Sequence, residues 1–348
     1  MPLKFNSFPY LVKLVIINQM DYKSFFLLSL CSIRTEKLLE HHLRKGVRSI
    51  GYYFLSKGIQ VLVESPDGSR ELIIVVQAGD KPLHSYLQSN TRIGSFQRLV
   101  KFCKDEDDLI TIKYPIRLPN YEKPVKQGII EHVTALFTRS SPTVHLEIQI
   151  DDRLGKLVPI RGVQSTRLSG NQIETKVLEE LFTNFPDQKD AVVLPELIGE
   201  LSKDSKLFEL ESHCIYNAFL HAVPILEQSN HRELQVYDAI IGEANVNLVV
   251  RKWIKNEAYQ NLEVMRISSR SSLGPRMNQE NNTPWSLEPY MFKYESRFLS
   301  GSRSIDCRQY HQIQRTSDGK MAAFRIRKYS FELYVWNRSR DQFVEMVH

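Results

Sequence analysis

Few side chains in this chain of 348 residues stand at a spacing that chemistry could use. His41 and His42 are adjacent imidazoles, but neighbours on a helix point to different faces, so the pair makes a poor metal clamp. Cys103 lies between Lys101 and Lys104, whose charges would favour a thiolate, yet no histidine stands beside it to act as its base. Asp151-Asp152 closes an apolar run and reads as a strand-end turn. Arg325-Ile326-Arg327 is different. In a strand, alternate side chains share a side, so its two guanidiniums would face one way and could hold phosphate or carboxylate. The metal, phosphate-loop, dinucleotide and nucleophile-elbow signatures His-Glu-x-x-His, Gly-x-x-x-x-Gly-Lys, Gly-x-Gly-x-x-Gly and Gly-x-Ser-x-Gly are all missing. The chain is therefore expected to be no enzyme and to need neither metal nor cofactor.

Composition narrows the class further. Hydrophobic residues at 42% can fill a core, and charged residues at 25% are ordinary for a globular protein. The length points to two domains. Net charge is +6, and much of the excess falls in residues 301–348, with nine Lys/Arg against five acids. Such an excess reads first as a solvated strand face and only second as a surface for an acidic partner, so nucleic acid is not expected. Cys31, Cys103, Cys214 and Cys307 are scattered with no Cys-x-x-Cys pair, which fits a reducing, intracellular setting, cytoplasm or nucleus. Lys13, Asp21 and Lys23 interrupt the apolar N-terminal stretch, which argues against a signal peptide and a membrane span.

The elements that must carry any site begin with three short helices over residues 7–46. Ser7 is placed to cap the first, with Pro9 in its first turn, Asp21 the second (Tyr22 to Leu30) and Ser32 the third, with Gly46 ending it. The second helix is almost wholly apolar, from Phe25 through Leu30, so it must be covered on more than one side. Forty residues cannot do that alone.

Phe8-Pro9-Tyr10-Leu11-Val12, then Met20-Asp21, then Ser29-Leu30-Cys31-Ser32-Ile33-Arg34-Thr35 resembles the F-box of the large nematode F-box family, with Phe8 where leucine is usual. The resemblance covers about an eighth of the chain. It implies docking on a Skp-family adaptor and, through it, on a cullin scaffold of a RING ubiquitin ligase. Carried over by position, Pro9, Leu11, Val12, Ile16, Leu28, Leu30 and Cys31 would form the docking face. The bland alternative is a helical cap folded on the domain behind it.

After Gly46 the apolar period becomes that of strands. Ser49–Leu55, Ile59–Glu64 and Glu71–Gln77 read as a three-stranded meander, with Pro66-Asp67-Gly68 turning between the last two. A further strand is expected around Leu109–Ile116. From Val125 the pattern alternates: helix to Thr138, strand Thr143–Ile150, helix Ile173–Phe182, strand Ala191–Leu194, helix Asn245–Lys255, strand Leu262–Ile267. Such alternation predicts parallel strands with helices on one side and a degenerate helix–strand repeat. Residues 269–304 carry Pro275, Pro284 and Pro289 and read as a long loop or partly mobile insertion. At the C-terminal end, Tyr310–Arg315 and Met321–Phe324 form a hairpin about Asp318-Gly319, and Phe331–Trp336 alternates like a third strand.

Trp253-Ile254-Lys255, Asn261-Leu262-Glu263-Val264-Met265-Arg266-Ile267, the hairpin with Ile313, Asp318 and Gly319, and the closing Val335-Trp336 together resemble the type 2 F-box-associated domain. Two departures stand out: Gln312 replaces the usual aspartate, and one extra residue precedes Asp318, which a bulge could absorb. Trp253, Leu262, Ile267, Ile313, Asp318, Gly319 and Trp336 are expected to be core or turn residues that report the fold.

The expected architecture is α+β: a three-helix F-box over residues 1–46, then a mixed α/β domain over 47–348 with helix–strand repeats and a C-terminal β-hairpin or meander. The expected role is substrate recognition for a Skp–cullin–F-box ubiquitin ligase, with an unidentified protein as substrate. Arg325 and Arg327, or exposed loops within 269–304, are the candidate substrate contacts. The competing expectation is a non-catalytic scaffold or a phosphopeptide or nucleic-acid reader using the basic C-terminal face.

Overall fold

The computed structural model describes residues 5–42, 46–55, 58–79, 86–104, 110–114, 122–137, 141–150, 158–274, 291–298 and 302–339. It divides into two compact units, Met1–Thr166 and Arg167–His348. Each unit is a mixed sheet with helices against it.

The first unit opens with helices α1 (Tyr10–Gln19), α2 (Tyr22–Ser29) and α3 (Ile33–His42). Strands β1 (Ser49–Leu55), β2 (Gly58–Glu64), β3 (Arg70–Ala78), β4 (Tyr86–Ile93), β5 (Phe96–Lys104) and β6 (Ile110–Tyr114) follow, then α4 (Glu122–Phe137) and β7 (Thr143–Gln149). Within this unit the strand order is β7-β1-β2-β3-β6-β5-β4. The meander β1-β2-β3 is antiparallel as its turn signals require, while β7 pairs parallel with β1 and β6 parallel with β3. Ile73 through Val76 are all buried, so β3 is covered on both faces, one of them by α2. Pro124 is tolerated in α4 because it lies in the first turn, where its missing N–H has no helical acceptor.

The starts of the first two helices differ in kind. Ser7 falls in a 3-10 turn, Phe5–Ser7, and the N-cap position of α1 is Pro9, with Lys13 N donating to its carbonyl at 3.1 Å. Asp21 does cap α2, accepting from Ser24 N at 2.6 Å. The Glu71 carboxylate of β3 accepts from Tyr22 N at 3.0 Å and Lys23 N at 2.9 Å, using two more of the open amides at that terminus. Ser32 accepts from Thr35 N and caps α3 as expected.

The second unit contains β8 (Val163–Ser169, which spans the division), β9 (Gln172–Glu174), α5 (Thr175–Asn184), β10 (Asp190–Val193), β11 (Glu196–Ile198), β12 (Ser212–Ile215), α6 (Ala222–Gln228) and β13 (Glu233–Ala239). It ends with α7 (Glu243–Ile254), β14 (Val264–Ser269), β15 (Met291–Glu295), β16 (Ser302–Asp306), β17 (His311–Gln314), β18 (Lys320–Arg327) and β19 (Ser330–Ser339). Strands β10, β12, β13 and β14 are parallel, with Asp190, Ser212, Glu233 and Val264 in one register row. β19 turns antiparallel against β14, followed by β18 and β17. Helices α6 and α7 fall between β12, β13 and β14 in this parallel run.

Several boundaries differ from the sequence reading. The helix expected from Ile173 begins at Thr175, because Ile173 pairs with Leu197 in a short parallel ribbon. Residues 269–304 are not one loop: β15 and β16 form an antiparallel hairpin there, while residues 275–290 lie outside the described residues. The β17–β18 pairing is regular, so the extra residue before Asp318 is taken up in the turn, and the register shift lies between β18 and β19 at Lys320/Ala322.

Candidate functional site

Helix α1 is short and apolar nearly all round, which leaves it more nonpolar surface than one neighbour can cover. Only Ile17 is fully buried. Tyr10 is 51% exposed, Leu11 73%, Val12 41% and Val15 62%, and Ile33, opening α3, is 50% exposed. These five are the largest concentration of exposed apolar side chains among the described residues. Scattered exposed leucines are ordinary; a run of them along one helix marks a contact surface.

The residues carried over from the F-box resemblance divide in two. Pro9, Leu11, Val12 and Cys31 are exposed, whereas Ile16, Leu28 and Leu30 are half-buried. The reason lies in α2. Its Phe25 and Phe26 point into the first unit: Phe25 packs tilted on Phe137 of α4 with ring centroids 5.9 Å apart, and Phe26 meets the edge of His132 at 5.5 Å. The second helix is therefore anchored inward, and α1 carries the open surface.

A polar constellation that sequence reasoning missed lies beneath it. Ser29 Oγ is 2.7 Å from His132 Nε2, and His132 Nδ1 is 3.0 Å from Glu36 Oε1, close enough for an ion pair but not aligned as a hydrogen bond. The order Ser–His–Glu resembles a nucleophile, a base and its orienting acid. The surroundings give it another role. Ser29 and His132 are buried, and the Ser29 hydroxyl donates to the Phe26 carbonyl of its own helix. With that proton engaged, His132 Nε2 must donate to Ser29 Oγ, which leaves Nδ1, on the side of Glu36, without its proton. Burial pushes His132 down to about 4, helped by Arg92, and pushes Glu36 up, helped by Glu40. The three side chains tie α2 and α3 to α4.

In the second unit the motif residues can be placed one by one. Trp253, Leu262, Ile267 and Ile313 are buried, and Trp336 packs edge-on against Phe292 with centroids 5.1 Å apart. The buried Arg315 guanidinium lies 5.3 Å from the Trp253 ring centre and forks onto Asp318 at 3.0 and 2.9 Å. Gly319, at φ +69°, follows in the left-handed conformation that glycine adopts freely. Thr316 N and Oγ1 both donate to the Ile254 carbonyl, so the hairpin turn closes the end of α7. Asp318 is thus a turn and ion-pair residue.

The two candidate substrate contacts separate. Arg325 is already engaged: it donates to Glu332 at 2.8 Å and stacks 4.2 Å from the Tyr310 ring centre. Arg327 is exposed. Cys31, Cys214 and Cys307 are free thiols, while the Cys103 side chain and Asp151-Asp152 lie outside what is described. Among the described residues no group of three His, Cys, Asp or Glu is placed to hold a metal, and no helix is long and apolar enough to cross a membrane.

Buried imidazoles make stability pH-dependent. His231, like His132, is pushed down to about 4 by burial, with the Leu207 carbonyl opposing it, and His213 is held well below its ordinary value by burial and by His231. In an unfolded chain these groups titrate near 6.5, so as pH falls the unfolded state binds protons first. Their stability is full above pH 6.5 and drains between there and 4, by about 3 kcal/mol for each of His132 and His231. Asp190, raised to about 6 by burial, works in the opposite sense and offsets roughly one of them. Urea unfolding at pH 7.5, 6 and 5 should show a steady loss. A flat profile would contradict the buried-neutral assignment.

No known family, curated protein or solved structure matches the chain.

Proposed function

We propose that the chain is a non-catalytic adaptor of the F-box kind, which docks through α1 on a Skp-family adaptor of a cullin–RING ubiquitin ligase and presents a protein substrate on its second unit. The observation that carries this reading is the run Tyr10, Leu11, Val12 and Val15, exposed along one short helix and joined by Ile33. An apolar helix face of this kind suits a helix-lined groove in a partner. The motif order Pro9, Leu11-Val12, Met20-Asp21 and Ser29 to Thr35 points to which partner. The inward anchoring of Phe25 and Phe26 supports it, because α1 is then held on a rigid base. The setting would be the cytoplasm or nucleus, in keeping with free thiols at Cys31, Cys214 and Cys307.

Catalysis would belong to other subunits of the ligase. The Ser29–His132–Glu36 constellation is consistent with this, since a buried hydroxyl already donating to a carbonyl cannot reach a substrate. The test is co-expression of the tagged full chain with a Skp-family adaptor. The adaptor should co-elute in near-equal amount. Soluble, folded chain eluting without it would overturn the proposal.

A further inference from the structure

The sheet of the second unit has two unlike faces. One is apolar and faces the helices. The other can be followed in register across the strands. Its middle row runs Cys214, Gln235, Arg266, Glu332, Arg325 on β12, β13, β14, β19 and β18. The next row toward the ends of the parallel strands carries Tyr216, Tyr237, Ser268, Ser330 and Arg327. The row on the other side holds Glu233, Val264, Tyr334 and Ala323 and is closed over by the β15–β16 hairpin. Phe292 and Tyr294 of that hairpin pack on Val264, Ala323 and Tyr334, and Glu233 receives Ser296 Oγ at 2.8 Å and Arg297 N at 3.0 Å.

The hairpin therefore covers half of the polar face. On the other half Tyr216 is exposed, Tyr237, Arg266, Ser268 and Ser330 are half-buried and Arg327 is exposed. Arg167 is exposed on β8 of the same sheet, and its charge draws the Tyr216 phenol down against the larger upward push of burial. Glu332 is the one carboxylate in these two rows, and it is taken by Arg325 and by the Tyr310 hydroxyl at 2.6 Å. Arg167, Arg266 and Arg327 have no carboxylate within ion-pair distance among the described residues. Arg266 is the most constrained: its guanidinium lies 5.8 and 5.7 Å from the ring centres of Tyr294 and Tyr334, and its Nε donates to Tyr334 Oη at 3.1 Å. Glu332, directly opposite on β19, acts on the charge of Arg266 without forming an ion pair with it. A half-buried arginine held between aromatic rings, with N–H groups that no carboxylate takes up, is preorganised to take an oxyanion.

We propose that the uncovered half of this face binds a phosphorylated polypeptide segment laid across β12 to β18, with Arg266 and Arg327 taking its phosphoryl groups and Arg167 extending the site beside Tyr216. The span is four strand steps, roughly 19 Å, which about six extended residues cover. A phosphoryl group brings nearly two charges and three acceptor oxygens to a guanidinium fork, which a lone carboxylate does not. Single-stranded nucleic acid fits less well. Its bases need open aromatic faces, and Tyr216 and Tyr237 are stacked on each other with centroids 4.5 Å apart. The inference rests on the second unit being the substrate-bearing part. Adaptor capture through α1 is a separate readout, so either can fail alone.

The test is fluorescence anisotropy of the full chain with a labelled peptide carrying three phosphoserines at alternate glycine-spaced positions. Its unphosphorylated and glutamate versions and a twelve-residue oligothymidylate run in parallel. The phosphopeptide should bind in preference to the other three. Arg266→Gln and Arg327→Gln should each weaken it about tenfold, while Lys293→Gln, on the outer side of the hairpin, leaves it unchanged. Arg327 is exposed, so its variant stays informative even if Arg266→Gln disturbs folding. Equal binding of the glutamate peptide, preference for the oligothymidylate, or no response to Arg327→Gln would overturn the proposal.

Discussion

Leu11→Glu combined with Val15→Glu should abolish capture of a Skp-family adaptor while leaving the fold intact. Both side chains are exposed on α1, so their loss removes almost no packing from the first unit. Surface changes of that kind usually move stability by no more than about 0.5 kcal/mol. At an apolar interface the same two changes each delete an anchor and strand a carboxylate away from water. A central anchor is worth about 2 kcal/mol, so the pair should weaken binding by several hundredfold or more. Phe26→Ala makes the contrast. It should destabilise the first unit by about 3–5 kcal/mol, because Phe26 is wholly buried against His132. Adaptor binding that survives the double glutamate variant would show that α1 is not the docking surface.

The second large effect is expected at Trp253. Its ring is wholly buried, its Nε1 has no partner among the described residues, and its contribution is therefore volume and π-face. Trp253→Ala should destabilise the second unit by about 3–5 kcal/mol through the cavity alone. The buried Arg315 guanidinium then loses the ring it rests on, and with it about 1–2 kcal/mol more. Because Thr316 ties the same turn to the end of α7, the hairpin should loosen as the helix does. Urea unfolding followed by tryptophan-independent circular dichroism reads this. A change under 1 kcal/mol would mean that the ring is not the keystone of that junction.

What could be read from the residues, and what could not, follows from the range of the interactions. Asp21 capping α2, the Pro66-Asp67-Gly68 turn and the Asp318-Gly319 hairpin are local, and each appears where its residue chemistry puts it. The strands β4 and β5 escaped detection because Tyr86–Ile93 is polar and lacks alternation; the two are recognisable by pairing with each other. β12 and β13 were missed for a related reason. His213, Glu233 and Gln235 look like surface residues, yet all three are buried. The docking residues show the same limit. Leu28 and Leu30 carry the F-box pattern as strongly as Leu11 does, but α2 rests on α4 and leaves them half-buried. Ser29 and His132 are 103 positions apart, and no periodicity in either segment announces their meeting. Arg325 and Arg327 share a face as strand geometry requires, while only the fold tells that Glu332 neutralises the first.

Hydrogen exchange of the full chain, with and without a purified Skp-family adaptor, tests the central claim most directly. The account predicts that the adaptor slows exchange across Tyr10–Gln19 and the start of α3 at Ile33, and leaves the strands of the second unit unchanged. No binding, or protection that falls on the second unit while α1 exchanges as before, would contradict it.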